Sequence, residues 1–260
     1  MGSGHWIEIT TKIGCSAQCE YCPQDKLTRE YVKKSKETVM SFETFEKCLN
    51  NVPENVAVHF TVYCEPFLNP ECSRMIEHAL DKGHGVLVNS TLKGIRKSDI
   101  DTLKRLIFED KKWGGPLTVH LPCIEYKSNI VDKYYFDNLE YAIKNLPGIR
   151  FHAHGTPIEK IEKFIKSVDE QCWIKRRGIH SRAGNVEFKD ISKLRKRGNC
   201  PRIWDNVLLP NGDIQLCCVD YGLEVKINNL LETTWEEAHN TEMFKKIIRE
   251  GTHLCANCEY

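Results

Sequence analysis

The chain has 260 residues, enough for one large domain or for one domain with a small appendage. Hydrophobic residues make up 41% and charged residues 28%, and the 37 Lys and Arg nearly balance the 36 Asp and Glu. This balance excludes a strong overall field for nucleic acid or anionic membranes, and no apolar run approaches the roughly 18 residues of a membrane span. We therefore expect no nucleic-acid partner and no membrane partner.

The first 175 or so residues alternate β-rich runs with helical stretches. The candidate strands are Trp6–Thr11, Val56–Thr61, Val86–Asn89, Leu117–Leu121, Ile149–Ala153 and Cys172–Lys175. This alternation is typical of βαβ units around a parallel sheet, and six units predict an open partial (β/α)6 barrel of the TIM type. In such barrels the chemistry gathers at the C-terminal strand ends, where Cys15, Tyr63–Pro66, Asn89, His120 and His154 fall.

Three of the intervening helices have readable ends. Asn69-Pro70 predicts a helix start with Pro at the first helical position, and Gly83 predicts its end. Ser98 is a candidate cap for the next helix. Thr156–Glu159 has the pattern of a capping box with Pro at the first position.

The pattern changes after about residue 180. Asn206–Pro210 and Asp213–Cys218 predict a hairpin, with Asn211-Gly212 as a type I′ turn. Thr234–Glu237 then predicts the start of a helix that runs to about Arg249 and ends at Gly251. We therefore predict a barrel over residues 6–185 and a small second module, a hairpin plus a helix, over residues 186–260.

The cysteine content is unusual, with thirteen in the chain. An odd number cannot pair completely within one chain, and no secretion signal is apparent. These features favour a metal or redox protein in a reducing cytoplasm over a disulfide framework.

The most informative motif is Cys15-x3-Cys19-x2-Cys22, directly after the first predicted strand. Three thiolates on one short loop can hold three irons of a cubane cluster and leave the fourth iron open. S-adenosylmethionine (SAM) chemistry needs such an open iron, because the methionyl amine and carboxylate chelate it. This spacing in this context resembles the radical SAM superfamily.

The resemblance extends to other positions. Tyr63–Pro66 is similar to the Gly-Gly-Glu-Pro motif of the superfamily, which hydrogen-bonds the SAM amine, and it implies a cofactor role for Glu65. Cys64 departs from that motif, since it replaces a glycine and projects a thiol near the SAM pocket. The resemblance also implies that Tyr21 lies beside the adenine and that Asn89 and His120 make polar contacts to SAM.

A second cysteine set comprises Cys200, Cys217, Cys255 and Cys258. Its spacing, with Gly212 between the first two, resembles the start of a SPASM domain in the shortened form called a twitch domain. That resemblance implies a second, closed [4Fe–4S] cluster suited to electron transfer. Four thiolates also make a structural zinc site, so zinc remains the alternative at both cysteine sets.

The layout is similar to the 2-deoxy-scyllo-inosamine dehydrogenase type of radical SAM enzyme. This implies dehydrogenation of a small sugar- or cyclitol-like substrate, with the second cluster as electron acceptor and an external reductant such as flavodoxin or ferredoxin. We see no N-terminal segment long enough for peptide recognition, which also favours a small substrate. Candidates to bind its hydroxyl or phosphate groups are His152, His154, Arg177 and Arg182.

Three alternatives remain open. A radical epimerase needs a thiol as hydrogen donor, for which Cys123, Cys64 and Cys218 are candidates. A radical SAM enzyme that modifies peptides is the second alternative, and a zinc-bound interaction module without SAM chemistry is the third. The remaining cysteines, Cys48, Cys72 and Cys172, are expected in the core.

Overall fold

We describe the protein from a computed structural model, in which residues 5–110, 115, 117–178, 181–186, 200 and 202–258 are described. Within these ranges the strands are β1 (Trp6–Ile9), β2 (Ala57–Phe60), β3 (Val86–Ser90), β4 (Leu117–Leu121), β5 (Arg150–His154), β6 (Ile174–Arg177), β7 (Asn206–Leu208), β8 (Asp213–Gln215) and β9 (Lys226–Asn229). The helices are α1 (Gln24–Tyr31), α2 (Phe42–Leu49), α3 (Cys72–Asp81), α4 (Lys97–Phe108), α5 (Tyr135–Asn145), α6 (Glu159–Val168), α7 (Trp235–His239), α8 (Glu242–Glu250) and α9 (His253–Ala256).

The described strands form one sheet in the order β6-β5-β4-β3-β2-β1-β7-β8-β9. Neighbours from β6 to β7 are parallel, and β7-β8-β9 are antiparallel. The predicted fold class and all six barrel strands are therefore confirmed, with some ends shifted by one or two residues. The sixth strand shows a shift at both ends, because it begins at Ile174 rather than at Cys172 and ends at Arg177 rather than at Lys175.

Alternate strand residues pack against the helices. Ile7, Val58, Val88, Val119 and Phe151 are at most 1% exposed and belong to one large core cluster that also contains apolar helix residues. Each such side chain contributes about 1.5–3 kcal/mol to folding through burial. This apolar face fixes the register of the sheet, so the other side chains of each strand point to its inner face.

Three predicted helix starts are wrong. Helix α3 begins at Cys72 rather than at Pro70, because Asn69 uses its side chain to accept the N–H of Glu71 in a turn before the helix. Ser98 lies inside α4, where the Asp99 carboxylate accepts the N–H of Arg96 instead. The predicted end of α3 is confirmed, since Gly83 follows it with φ of 87°.

The capping box expected at Thr156–Glu159 is also wrong. Helix α6 begins at Glu159 without a side-chain cap. The preceding backbone pairs with the loop after β4 instead, since the Ile124 N–H donates to the Thr156 carbonyl at 2.9 Å. Tertiary pairing therefore outcompetes the local capping pattern at this position.

The C-terminal hairpin is confirmed, but its type I′ turn is not. Gly212 has a φ of 84°, whereas the φ of Asn211 is negative. The N–H of Gly212 donates to the Leu209 carbonyl, and Pro210 has the φ that the second position of a type I turn requires. The turn is therefore type I followed by a left-handed glycine.

The helix expected from Thr234 to about Arg249 is two helices. Thr234 and Glu237 form the predicted capping box of α7, which ends at His239. Thr241 then caps α8 by accepting the Phe244 N–H, and Gly251 follows α8 as expected. Strand β9 and helix α9 are further elements of this region that the sequence patterns did not predict. Among the described helices, none has both the length and the apolar character needed to cross a bilayer.

Candidate active site

The inner face of the sheet is lined by polar side chains. In the strand register Glu8 lies beside His59, His120 beside His152, and His154 beside Arg177. The rings of His120 and His154 stack with centroids 5.5 Å apart, and His152 meets His120 edge-on at 5.6 Å. Strands buried in parallel sheets are usually apolar on both faces, so this polar row indicates a face that receives a polar ligand.

Three histidines on this face, His59, His120 and His152, are neutral at pH 7. Burial, aided by the positive charges of Arg177 and Lys175, lowers the pKa of His152 to about 4. Burial also lowers the pKa of His120 well below its ordinary value, and nearby histidines and Arg177 and Arg182 add to this effect. The predicted substrate-binding residues His152, His154, Arg177 and Arg182 are therefore brought together around His120.

The cysteine triplet lies on the loop between β1 and α1. This loop is shaped by positive φ angles at Gly14 (85°) and Gln18 (44°). It is tied to the loop after β4, because the Asn129 N–H donates to the Ala17 carbonyl at 2.6 Å and the Glu20 N–H donates to the Lys127 carbonyl at 2.9 Å. The triplet is therefore fixed at the C-terminal edge of the sheet.

The three triplet sulfurs interact with one another. Burial raises the pKa of the Cys19 thiol to about 12, and the charges of the Cys22 and Cys15 thiolates act in the same direction. Tyr21 makes a hydrogen bond with Cys19, and its ring contacts His154 at 5.4 Å. The predicted adenine neighbour therefore lies between the triplet and the polar sheet face.

The loop after β2 is held by the Glu65 carboxylate, which is 2% exposed. One oxygen accepts the Ser90 hydroxyl at 2.8 Å and the Phe67 N–H at 3.3 Å. The other accepts the hydroxyl of Thr91 at 2.7 Å and its N–H at 2.5 Å. All four contacts are to protein groups, so in this structure Glu65 holds the loop against the end of β3.

Cys64 and Asn89 occupy positions close to this loop. The Cys64 sulfur lies 3.6 Å from the Thr11 hydroxyl, and burial raises the pKa of its thiol to about 12. Asn89 donates its side-chain amide to the Thr61 hydroxyl at 3.3 Å. The thiol that departs from the glycine motif therefore packs against the end of β1.

The second cysteine set lines one cavity. All four predicted ligands are in its wall, and Cys218 joins them. The other lining residues are Arg202, Ile203, Asp205, Leu216, Val219 and Leu254. Soft sulfur donors in mostly apolar walls fit an iron–sulfur cluster, and the donor set also fits zinc.

A buried ion pair connects this cavity to β1. Arg202 donates to the Glu8 carboxylate at 3.1 Å and to the Asp205 carboxylate at 3.0 Å. Burial raises the pKa of Glu8 to about 7 against the opposing charge of Arg202, and the Cys218 thiol faces the same carboxylate. The sequence patterns did not single out Glu8, although a glutamate in the apolar strand Trp6–Ile9 was the available signal.

The remaining cysteines fall into two groups. Cys123 is 5% exposed, lies after β4, and is close enough to Cys19 to influence its pKa. Cys48, Cys72 and Cys172 are buried as expected. Within the described residues, no three or more His, Cys, Asp or Glu side chains converge closely enough to hold one metal ion. In a cubane, by contrast, each thiolate binds a different iron.

Comparisons with known proteins bear on the C-terminal region and on the fold. Residues 200–259 match the family SPASM, described as an iron–sulfur cluster-binding domain. This match contains all four cysteines of the second set. No curated protein matches the chain significantly in sequence.

Several solved structures share the fold. BtrN in complex with AdoMet and 2-DOIA has a TM-score of 0.65 at 16% identity, covering 98% of this chain and 93% of its own. Streptococcus suis SuiB bound to the precursor peptide SuiA has a TM-score of 0.66 at 12% identity, covering 97% and 70%. Native anSMEcpe with AdoMet and the Kp18Cys peptide has a TM-score of 0.60 at 14% identity, covering 94% and 82%. The chain therefore shares the partial-barrel fold of these proteins, and its C-terminal residues match the SPASM family.

Proposed function

We propose that this chain is a radical SAM enzyme that dehydrogenates a small polyhydroxylated substrate. One observation carries the proposal: two cysteine sets flank the same polar sheet face. The triplet follows β1 at its C-terminal end, and the second set reaches Glu8 on β1 through Arg202 and Cys218. The SPASM match supports an iron–sulfur cluster at the second set.

Three residues of this chain would hold the first cluster, namely Cys15, Cys19 and Cys22. When bound there, the cluster and SAM supply a 5′-deoxyadenosyl radical that removes a hydrogen atom from a substrate C–H bond. Cys200, Cys217, Cys255 and Cys258 would hold the second cluster, which supplies an acceptor for one electron. BtrN and anSMEcpe have the same fold and are described with AdoMet, which supports SAM as the cofactor.

The chain's own residues bind, orient and deprotonate the substrate. His120 and His152 are neutral, so they can accept hydrogen bonds from hydroxyl groups, and Arg177 supplies a positive charge beside them. Oxidation of the substrate radical to a carbonyl would require a side chain on this face to take the hydroxyl proton, and a cluster at the second cysteine set would supply the acceptor for the remaining electron. Tyr21 covers the side of the triplet that faces His154. An electron donor such as flavodoxin or ferredoxin would restart the cycle.

Epimerisation is a second candidate, and the position of Cys123 favours it. This buried thiol lies close to Cys19 and Tyr21, next to the side on which a substrate radical would form. Peptide modification is a third candidate, because SuiB and anSMEcpe share the fold and are described with peptides. Dehydrogenation remains our proposal because the second cysteine set lies against the polar face.

Iron analysis of the anaerobically reconstituted protein tests the cofactors. We expect about eight irons per chain and 5′-deoxyadenosine formation with SAM and dithionite. Cys15→Ala should lower the first cluster's iron and abolish 5′-deoxyadenosine, whereas Cys255→Ser with Cys258→Ser should remove the second cluster only. Cys48→Ala, at a buried cysteine of α2, is the matched control and should keep all the iron. Colourless protein with zinc at the triplet would refute the proposal.

Product analysis in heavy water separates the reactions. Pooled sugar and cyclitol metabolites should yield a product two mass units lighter, as expected for a carbonyl. A product one mass unit heavier than the substrate, with one solvent deuterium at carbon and no carbonyl, would instead identify an epimerase. A product formed only from added peptides would contradict the small-substrate proposal.

A further inference from the structure

Two buried tyrosines join the two cysteine sites. Tyr221 lies four residues after Cys217, and its hydroxyl oxygen is 3.7 Å from the Cys22 sulfur. The ring of Tyr63 meets that of Tyr221 edge-on, with centroids 4.9 Å apart. The Tyr63 hydroxyl donates to the Cys217 carbonyl at 3.1 Å. A continuous set of contacts therefore runs from one triplet cysteine to one cysteine of the second set.

The backbone of Tyr63 is unusual. Its φ is 28°, and the preceding Val62 has φ of 66°, which is rare for a β-branched residue. Such conformations persist only where the surroundings enforce them, and they cluster at functional sites. Here the enforcing contacts are visible: the Tyr63 ring is held by Tyr221, and its carbonyl accepts the Gln24 side-chain amide at 2.5 Å.

Gln24 also links Tyr63 to Cys22. Its amide also points at the Cys22 sulfur at 3.3 Å. Cys22 therefore has two polar side chains next to its sulfur, and both contact Tyr63. Tyr221 and Tyr63 belong, with Tyr31 and Leu223, to a small apolar core that is separate from the main one.

The chemistry of a ligating sulfur decides which group donates. A cysteine that binds iron is a thiolate and can only accept, so the Tyr221 hydroxyl would be the donor. Hydrogen bonds to cluster sulfurs are one of the factors that set the reduction potential of an iron–sulfur cluster. They raise it because they stabilise the more negative, reduced state.

We propose that Tyr221 and Tyr63 couple the two cluster sites: the Tyr221 hydroxyl raises the reduction potential of the cluster on the triplet, and the second site holds Tyr221 in place. This inference rests on the proposed function, since it requires a cluster on Cys22. Occupation of the second site orders Cys217 and the turn that follows it. The first cluster is then easier to reduce when the second site is filled.

The test is a redox titration of the triplet cluster, monitored by electron paramagnetic resonance, in the reconstituted full chain. Tyr221→Phe removes the hydroxyl and keeps the ring, so the midpoint potential should fall. Tyr63→Phe loses only the anchor on Cys217, so the fall should be smaller. Tyr31→Phe is the matched control, because Tyr31 is buried in the same small core but donates to the Glu37 carbonyl. The midpoint potential of the triplet cluster in the Tyr31→Phe variant should equal that of the wild type.

A double-mutant cycle tests the coupling itself. Emptying the second site with Cys255→Ser and Cys258→Ser should lower the potential of the triplet cluster in the wild-type background. In the Tyr221→Phe background the same change should have no further effect. Additive shifts, or a Tyr221→Phe potential equal to that of the wild type with a full iron content, would overturn the inference. A wild-type protein without a triplet cluster would instead overturn the proposed function, so the two failures are distinguishable.

Discussion

Replacing Glu8 by glutamine tests whether burial outweighs the charge of Arg202 in setting the pKa of Glu8. Glu8 is 3% exposed, and burial raises its pKa from 4.5 to about 7, against the attraction of Arg202. In the unfolded chain the carboxyl returns to its ordinary pKa. The difference, at about 1.4 kcal/mol per pH unit, corresponds to about 3 kcal/mol of pH-dependent stability.

The sign follows from the direction of this pKa change. Because the folded state has the higher pKa, it holds the proton more strongly than the unfolded state does. This contribution to stability is fully present below about pH 4.5, decreases between pH 4.5 and about 7, and is lost above that range. The glutamine side chain of the variant cannot titrate. The free energy of unfolding of the Glu8→Gln variant, relative to wild type, should therefore rise by about 2.5 kcal/mol between pH 5 and pH 8.

The assay is urea unfolding of the reconstituted protein at both pH values under anaerobic conditions. Other titrating groups, such as the buried histidines, contribute equally to both proteins and cancel in the difference. The Glu236→Gln variant, at an exposed position of α7, is the control for replacing a glutamate by glutamine. A difference between Glu8→Gln and wild type that does not change with pH would show that Glu8 stays ionised over this range. Its pairing with Arg202 would then outweigh burial, and the reasoning above would be wrong.

Three further changes probe the site. Glu65→Gln replaces one carboxylate oxygen by an amide NH2 group, which cannot accept a hydrogen bond from a donor such as the Thr91 hydroxyl. Because a buried donor then lacks an acceptor, the variant should be about 2 kcal/mol less stable in thermal unfolding. Gly94→Ala should cost about 2–3 kcal/mol in the same assay, because Gly94 has φ of 86° and a Cβ would lie 2.9 Å from a Leu68 methyl. Cys123→Ala should leave carbonyl formation unchanged in a dehydrogenase, and a complete loss of turnover in the product assay would identify an epimerase.

The strands could be predicted from the sequence because the alternation of buried and inner-face residues along a strand is a local pattern. Runs such as Leu117–Leu121 are bounded by turns and alternate faces, so their position can be predicted from neighbouring residues alone. Helix starts depend instead on competition among hydrogen bonds. At Thr156 the competitor is the Glu125 carboxylate, which accepts the Thr156 N–H at 2.9 Å from 31 residues away. No local pattern contains that partner.

In the candidate site, too, local motifs can be predicted from the sequence, whereas long-range contacts cannot. The triplet and the four later cysteines are recognisable by spacing, since their loops are short and their chemistry is specific. Glu8, Tyr63 and Tyr221 carry no such spacing. Tyr221 is 199 residues from Cys22, and only the folded chain brings the two within contact distance. Residues that connect two motifs are therefore harder to predict than residues that form one.

The pairing of β7 with β1 explains why such connecting residues exist. Because Glu8 is in register with Val207, the strand that leads to the second cysteine set extends the barrel sheet directly. The antiparallel partner β8 then returns the chain, so that Cys217 and Cys218 emerge beside the start of β7 and next to Arg202. A cluster held by these cysteines would lie beside Arg202, which contacts Glu8 on the polar inner face. This adjacency is why we propose oxidation rather than isomerisation.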